Sequence, residues 1–489
     1  MSTEPSIHER VADLSESGRP PVVCVVSLGC AKNTVDSERI MAALVQNGFW
    51  IAEDPRDSDI CLVNTCGFIE PAREETAATL ERIARWRRQG RPCCLVAMGC
   101  MVERLHTVPE WKSFLRAADV LVGFDAYLRL PELCRQWLRA VASFSSFSAA
   151  VENPRGQPGL PSGFSHQPRL LTGLPHSTWL KVAEGCSHSC SFCSIPLIRG
   201  PQMSRPLPEI LHEAESLVRS GVKEICVIAQ DTTAYGHDLG LPAGAAELIR
   251  QLSRLRGDLW FRLLYAHPRH LTPQVLDAME ADSRWCRYLD LPLQHISDPM
   301  LRAMGRGLGR EDTLRLLSDI RTRWPDVALR TTLIVGHPGE TEQDFAQLCE
   351  LVQTGWFLHL GVFVYSEEPR TRASRMGPKV PRELAEERRR ELMEIQREVS
   401  ARTLASWVGR TLEVLVDDRA PRGHLPKEIR WVGRHKGQAP EVDGVTWLDP
   451  NGHYVEPGQV VTAEITSSSD YDLIGKVVAA GAARPPRAP

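Results

Sequence analysis

The feature that most constrains this 489-residue chain is a cysteine loop near its middle, EGCSHSCSFCSIP, running from Glu184 to Pro196. Cys186, Cys190 and Cys193 fall within eight residues, so one short turn of backbone can aim three thiols at one metal centre. A structural zinc ion wants a fourth Cys or His to close its tetrahedron, and His188 lies inside the loop. An iron–sulfur cubane usually takes four thiolates, and three would leave one iron open to a further ligand.

The remaining cysteines have to be read against compartment. The N-terminal stretch MSTEPSIHERVADLSESGRP is polar and mixed in charge, without the apolar core of a signal peptide. No apolar run approaches the roughly 18 residues needed to span a bilayer. A cytoplasmic chain is expected, so its fourteen cysteines are not a disulfide scaffold. Net charge is −3, which gives no global pull toward nucleic acid.

Three of those cysteines share a pattern. Cys30, Cys66 and Cys100 each close an apolar run, VVCVVSLGC, ICLVNTC and CCLVAMGC, that reads as a buried strand. Helix-like segments follow, such as Asp36 to Gly48, and Ala118 to Gly123 adds a further strand. Alternating strands and helices imply a parallel sheet, whose strand C-terminal ends share one edge. Three thiols on that edge can meet, although a single cysteine more often simply packs in a core. Spacing leaves both readings open for these three. Cys24, Cys61, Cys93 and Cys94 lie within the strands and read as packing, as do Cys134, Cys226, Cys286 and Cys349.

Length implies about three domains at roughly 150 residues each. Ser143 to Pro175 is rich in Ser, Pro and Gly and reads as a linker. A second alternating stretch follows, with strands at Glu224–Gln230, Tyr288–Gln294, Leu329–Gly336 and Leu360–Ser366. It predicts a full or partial βα barrel with Gln230, Asp231, Gln294 and His295 at the functional strand ends. In LIVGHPGE, Gly336 would let backbone approach a ligand; the alternative is an ordinary strand-to-helix turn with Glu340 opening the next helix. Arg382 to Arg402 reads as a solvated connecting helix. From Leu404 short strands between Gly and Pro turns predict a small β-barrel.

The CxxxCxxC loop, with Phe192 before its third cysteine, resembles the signature of radical S-adenosylmethionine (SAM) enzymes. SLGCAKNTVDSE, NTCGF, IRGP, LDLPLQHIS and IVGHPGETE extend the likeness over nearly the whole chain, which resembles the radical SAM methylthiotransferases. The resemblance implies a flavodoxin-like methylthiotransferase domain over 20–140, a linker over 141–171, a radical SAM core over 172–403, a TRAM barrel over 404–478 and a disordered tail over 479–489. It implies two 4Fe–4S clusters, one on Cys30, Cys66 and Cys100, the other on Cys186, Cys190 and Cys193 with SAM on its open iron. SAM contacts would come from Phe192, Gln230, Gln294, Ile334, Gly336 and Glu340; no catalytic side chain beyond the cluster ligands is singled out. One SAM would give a methyl group and another a radical, so that an unactivated carbon gains SCH3. An electron donor and a sulfur donor are the implied partners, with no membrane. His337 departs from the pattern, standing where an aromatic residue is expected.

One branch of this family modifies a transfer RNA adenosine; the other modifies the β-carbon of an aspartate in the small-subunit ribosomal protein number twelve. From Ala405 to Val478 there are eight Lys/Arg against eleven Asp/Glu, a balance of −3. RNA binding demands a basic surface, so this barrel suits a basic protein partner better. VGRHKGQAPEVDG and SDYDLIG also resemble the protein-modifying branch. The ribosomal protein, free or in the ribosome, is the expected substrate. A local patch of Arg430, Arg434 and Lys436 is what would favour the transfer RNA alternative. A zinc-binding adaptor without catalysis is the reading from another class.

Overall fold

A computed structural model of the chain describes residues 19–87, 94–142, 151–152, 159–161, 163–421, 423 and 425–480. Cys93 therefore lies outside the described residues, as do 143–150 and 153–158 of the expected linker.

The first unit alternates β1 (Val22–Ser27), α1 (Ala31–Gln46), β2 (Trp50–Ala52), β3 (Ile60–Thr65), α2 (Glu70–Arg87), β4 (Cys94–Gly99), α3 (Cys100–Arg104), β5 (Val120–Val122), α4 (Leu130–Ala142) and β6 (Val151–Glu152). Every residue of β3 and β4 is buried, as parallel interior strands covered on both faces require. The sheet order is β2-β1-β3-β4-β5-β6, all parallel. This is the flavodoxin-like order, and its reversal between β1 and β3 opens a crevice at the strand C-terminal ends. Helix α1 begins five residues before the apolar pattern does. Its first turn buries Lys32 and Asn33, polar residues that hide the 3.6-residue period.

The central unit contains β7 (Ser177–Lys181), β8 (Ala183–Glu184), α5 (Ile195–Arg199), β9 (Met203–Ser204), α6 (Leu207–Ser220), β10 (Glu224–Ile228), α7 (Gly244–Leu252), β11 (Trp260–Leu263), α8 (Pro273–Glu280), β12 (Trp285–Asp290), α9 (Asp298–Met304), α10 (Arg310–Arg323), β13 (Ala328–Val335), α11 (Glu342–Gln353), β14 (His359–Val364) and α12 (Arg382–Ala405). Its six main strands form an open parallel sheet, β14-β13-β12-β11-β10-β7, so the partial barrel is the form realised. The short strands β7 and β11 carry too few residues to show a period. Gln294 lies beyond β12 and touches β13 through one isolated bridge to Leu333.

The third unit closes β15 (Thr411–Arg419), β16 (Trp431–His435), β17 (Thr446–Asp449), β18 (Val460–Ser468) and β19 (Leu473–Ala480) into a barrel ordered β15-β16-β17-β19-β18. Strand β19 takes in Ala479 and Ala480, which the expected tail had claimed; 481–489 lie outside the described residues.

Two expectations are corrected. Helix α12 is not merely solvated: it buries Ala385, Leu392, Val399 and Leu404, and it packs on β14 and α11. The apolar stripe is thin and hidden among Glu and Arg. The described end of the linker is also anchored. Phe164 is buried in the core of the first unit, and Arg169 pairs with Glu38 and Glu213.

One core joins all three units. Ala31 and Val35 of α1, Trp179, Ile228, Trp260 and Tyr288 of the central sheet, and Leu415, Ile465 and Leu473 of the barrel form a single buried cluster. Beside it, fully buried Glu224 on β10 accepts from Arg434 of the barrel at 2.7 Å and Arg262 of β11 at 3.1 Å. Burial alone would raise its pKa, but Arg434 and Arg262 outweigh this and hold the carboxyl at about 2. The pair's contribution is complete above the ordinary carboxyl range near 4.5 and is lost as pH falls toward 2. Replacing Glu224 with Gln should cost about 3–5 kcal/mol, because buried Arg262 loses its anion and Arg434 is left with Asp417 alone. Urea unfolding at neutral pH measures this; the gap between variant and wild type should close in acid.

Candidate functional site

The three units meet around a cavity of about 460 Å³, and all six cysteines singled out by the sequence line it. The first triad sits at the crevice of the first sheet. Cys30 is the N-cap of α1, Cys66 directly follows β3, and Cys100 opens α3. Asn33 ties this edge together, its amide donating to the carbonyls of Leu28 at 2.9 Å and Thr65 at 3.1 Å. Arg199, from α5 of the central unit, reaches across to donate to the Cys100 sulfur at 3.4 Å and to Asn33 Oδ1.

The second triad hangs on the loop between β8 and α5. Gly185 enters that loop at φ +71°, and a Cβ there would stand 2.1 Å from the Pro201 carbonyl oxygen, so glycine is required. The loop is pinned by Cys186 N–H to the Gly200 carbonyl at 3.0 Å and Ser191 N–H to the Met304 carbonyl at 2.9 Å. Arg306 donates to the Cys190 sulfur and the Ile195 N–H approaches the Cys193 sulfur, at 3.4 and 3.5 Å. His337 lies beneath. Its ring contacts Tyr365 edge-on and its Nε2 lies 3.2 Å from Ser191 Oγ, so the departure from an aromatic residue keeps a ring there and adds a tie to the loop.

Burial pushes the thiols of Cys66 and Cys186 up to about 11 and those of Cys100 and Cys193 to about 12. Cys30 is the exception. Burial would raise it too, but the charges of Lys32 and Arg199 and the N–H groups of Asn33 and Lys32 bring it below its usual range. Thiols gathered in threes suit metal binding, which exchanges their protons for the ion. The donor sets fit a cluster better than a single ion. Among the described residues, the set drawn tightly enough to share one ion is His188, Asp231, His267 and His270, within 4.8 Å, and neither cysteine triad belongs to it. His188 is not a fourth ligand to the loop cysteines: it pairs with Asp231 at 2.7 Å, which also takes His270 at 2.9 Å.

Of the other residues expected at the site, Phe192, Gln230 and Gln294 line the cavity. The side-chain oxygens of both glutamines are buried without a protein donor, which suits a ligand bearing N–H or O–H groups. Ile334, Gly336 and Glu340 do not line it. Glu340 is occupied by the Gly336 N–H at 2.7 Å, Arg388 at 2.6 Å and His295 at 3.2 Å. A Cβ on Gly336 would come 2.5 Å from that of Ala385, so glycine there lets α12 approach. The basic patch that would favour transfer RNA loses its centre: Arg434 is buried against Glu224 and Asp417. Reading the sequence missed Lys32, Arg199, Tyr265, Asp290, Arg306 and Arg330, all on the cavity wall. Lys32 within SLGCAKNTVDSE, Arg199 within IRGP and Asp290 within LDLPLQHIS carried a signal; Tyr265, Arg306 and Arg330 lie in none of those motifs.

Family models match in chain order: an uncharacterized protein family, UPF0004, over residues 22–123, the radical SAM superfamily over 180–352 and the TRAM domain over 408–478. A solved radical SAM methyltransferase, TsrM from Kitasatospora setae, superposes with a TM-score of 0.50 at 17% identity, covering 72% of this chain and 74% of that one, and so shares the fold. Among curated proteins, the ribosomal protein uS12 methylthiotransferase RimO of Anaeromyxobacter sp. (strain K) is 40% identical over 95% of both chains. RimO of Myxococcus xanthus is 38% identical over 95% of this chain and 93% of its own. With such identity over nearly full length, the three units and their order accounted for, the chain belongs to the RimO family of radical SAM methylthiotransferases.

Proposed function

We propose that this chain attaches a methylthio group to the β-carbon of an aspartate in ribosomal protein uS12, in the cytoplasm, with an electron donor and a sulfur donor as partners. The observation that carries this reading is that two cysteine triads from two different units face one cavity. Each triad would hold one 4Fe–4S cluster with an open iron, and SAM would lie at Cys186, Cys190 and Cys193, beside Phe192, Gln230 and Gln294. When bound, these groups supply the radical, the methyl and the sulfur.

The residues of the chain itself do the positioning. Arg306 and Arg199 hydrogen-bond sulfur on the two triads and would stabilise thiolate charge there. Gln230 is steadied by Glu184 at 3.2 Å, leaving its amide oxygen to accept from SAM. The barrel supports a protein substrate, because it closes one wall with Pro440 and Val442 while its central arginine is buried. At the mouth, Phe68, Phe363 and Val442 are exposed apolar residues from all three units, a rim suited to a polypeptide.

Anaerobic reconstitution should load about eight irons, falling to about four in Cys66→Ala. Cys190→Ala should lose 5′-deoxyadenosine formation, whereas Cys66→Ala should keep it and make no methylthio product. Product formation by Cys66→Ala would overturn the role of the first triad. Mass spectrometry of uS12 and transfer RNA from a deletion strain decides the substrate: uS12 should lose 46 Da, about the mass gained when SCH3 replaces H, and RNA modification should persist.

A further inference from the structure

Four Lys and Arg side chains line the cavity, and three are committed. Arg199 is held by Asp36 and Glu184, at 3.0 and 2.8 Å. Arg306 donates to the Pro292 carbonyl at 2.6 Å as well as to Cys190. Arg330 lies 3.3 Å from Asp290 and 3.4 Å from Asp443. Lys32 differs. It is 6% exposed, and among the described residues no oxygen accepts from its ammonium or pairs with it. The ammonium instead rests 3.0 Å from the centroid of the Tyr265 ring. A ring face attracts a cation while leaving its N–H donors free.

That platform is held in place at some cost. Tyr265 has φ +59°, a conformation bulky residues rarely adopt, and it is fixed by its N–H to Asp290 Oδ2 at 3.2 Å and by the Thr232 N–H to its carbonyl at 3.0 Å. Strain kept at a cavity wall, under a buried ammonium with unspent donors, points to an anionic ligand. Lys32 stands two residues after Cys30, so an anion bound to it lies beside the first triad. The apolar rim at the mouth makes a side chain on a polypeptide the fitting source of that anion.

We propose that Lys32 anchors the side-chain carboxylate of the substrate aspartate and sets the selectivity for an acidic residue over its amide; this rests on the substrate reading above. The carboxylate carbon is bonded directly to the β-carbon, so fixing one orients the C–H bonds of the other. Lys32 is then a specificity-determining residue of the methylthio transfer.

The test uses reconstituted holoenzymes, matched by iron content, on uS12 carrying either Asp or Asn at the target position. Wild type should prefer Asp by about 100-fold or more in kcat/KM, the range expected when a buried charge loses its partner. Lys32→Met should shrink that preference to about fivefold or less, chiefly through a higher KM for the Asp substrate, while Lys32→Arg should keep at least about a tenfold preference. An unchanged ratio in Lys32→Met would overturn the anchor. So would equal losses on both substrates, which would mark Lys32 as a counter-charge for the first cluster. If Lys32→Met does not load iron, Lys32→Gln replaces it, and a wild-type ratio near one overturns the anchor without any variant. Wild-type enzyme that modifies neither protein would instead sink the substrate reading and the anchor with it.

Discussion

A buried set of four charges underlies the site. Asp36 from α1 meets Lys181 at the end of β7 and Arg199 of α5, and Glu184 pairs with both cations. Each of the four side chains is at most 9% exposed. Taking such groups out of water costs several kcal/mol per ion, so their value lies less in stability than in permitting one arrangement. Any sliding of the first unit on the central one would strand a charge. Because Arg199 also reaches Cys100, and Glu184 opens the second cysteine loop, this lock sets where one triad stands relative to the other.

The parts of this architecture that depend on local chemistry were legible in the sequence. Three thiols on one loop need only their spacing, and the strands ending near Cys30, Cys66 and Cys100 show as apolar runs because their sheet is covered on both faces. What stayed hidden is what tertiary contact alone decides. Lys32 and Asn33 stand ahead of the apolar pattern and Asp36 and Glu38 are polar residues at its start, yet all four are buried. Tyr265 just beyond β11, Asp290 on β12 and Arg330 on β13 share one wall because their strands are neighbours in the sheet, an adjacency no local pattern records. Gly336 and Glu340 are engaged with each other and with α12, a packing role that the motif itself does not announce.

Net charge of the barrel pointed away from RNA, and the structure sharpens why. Arg434 is neutralised by Glu224 and Asp417, and Asp443 binds Tyr288 at 2.8 Å as well as Arg330. The barrel's most central charges are thus turned inward to dock it on the open face of the sheet. Only its outer residues are left for a partner, and one of its loops contributes the wall at Pro440 and Val442.

The core shared by α1, the central sheet and the barrel has a steric corollary for delivery of the substrate. Units welded through a common apolar cluster do not swing apart to admit a folded protein. The reacting residue must come to them, threaded through the mouth on a narrow projection. Targets are therefore filtered by shape before chemistry: an aspartate on a flat or helical surface stays out of reach, and one at the tip of an extended loop does not.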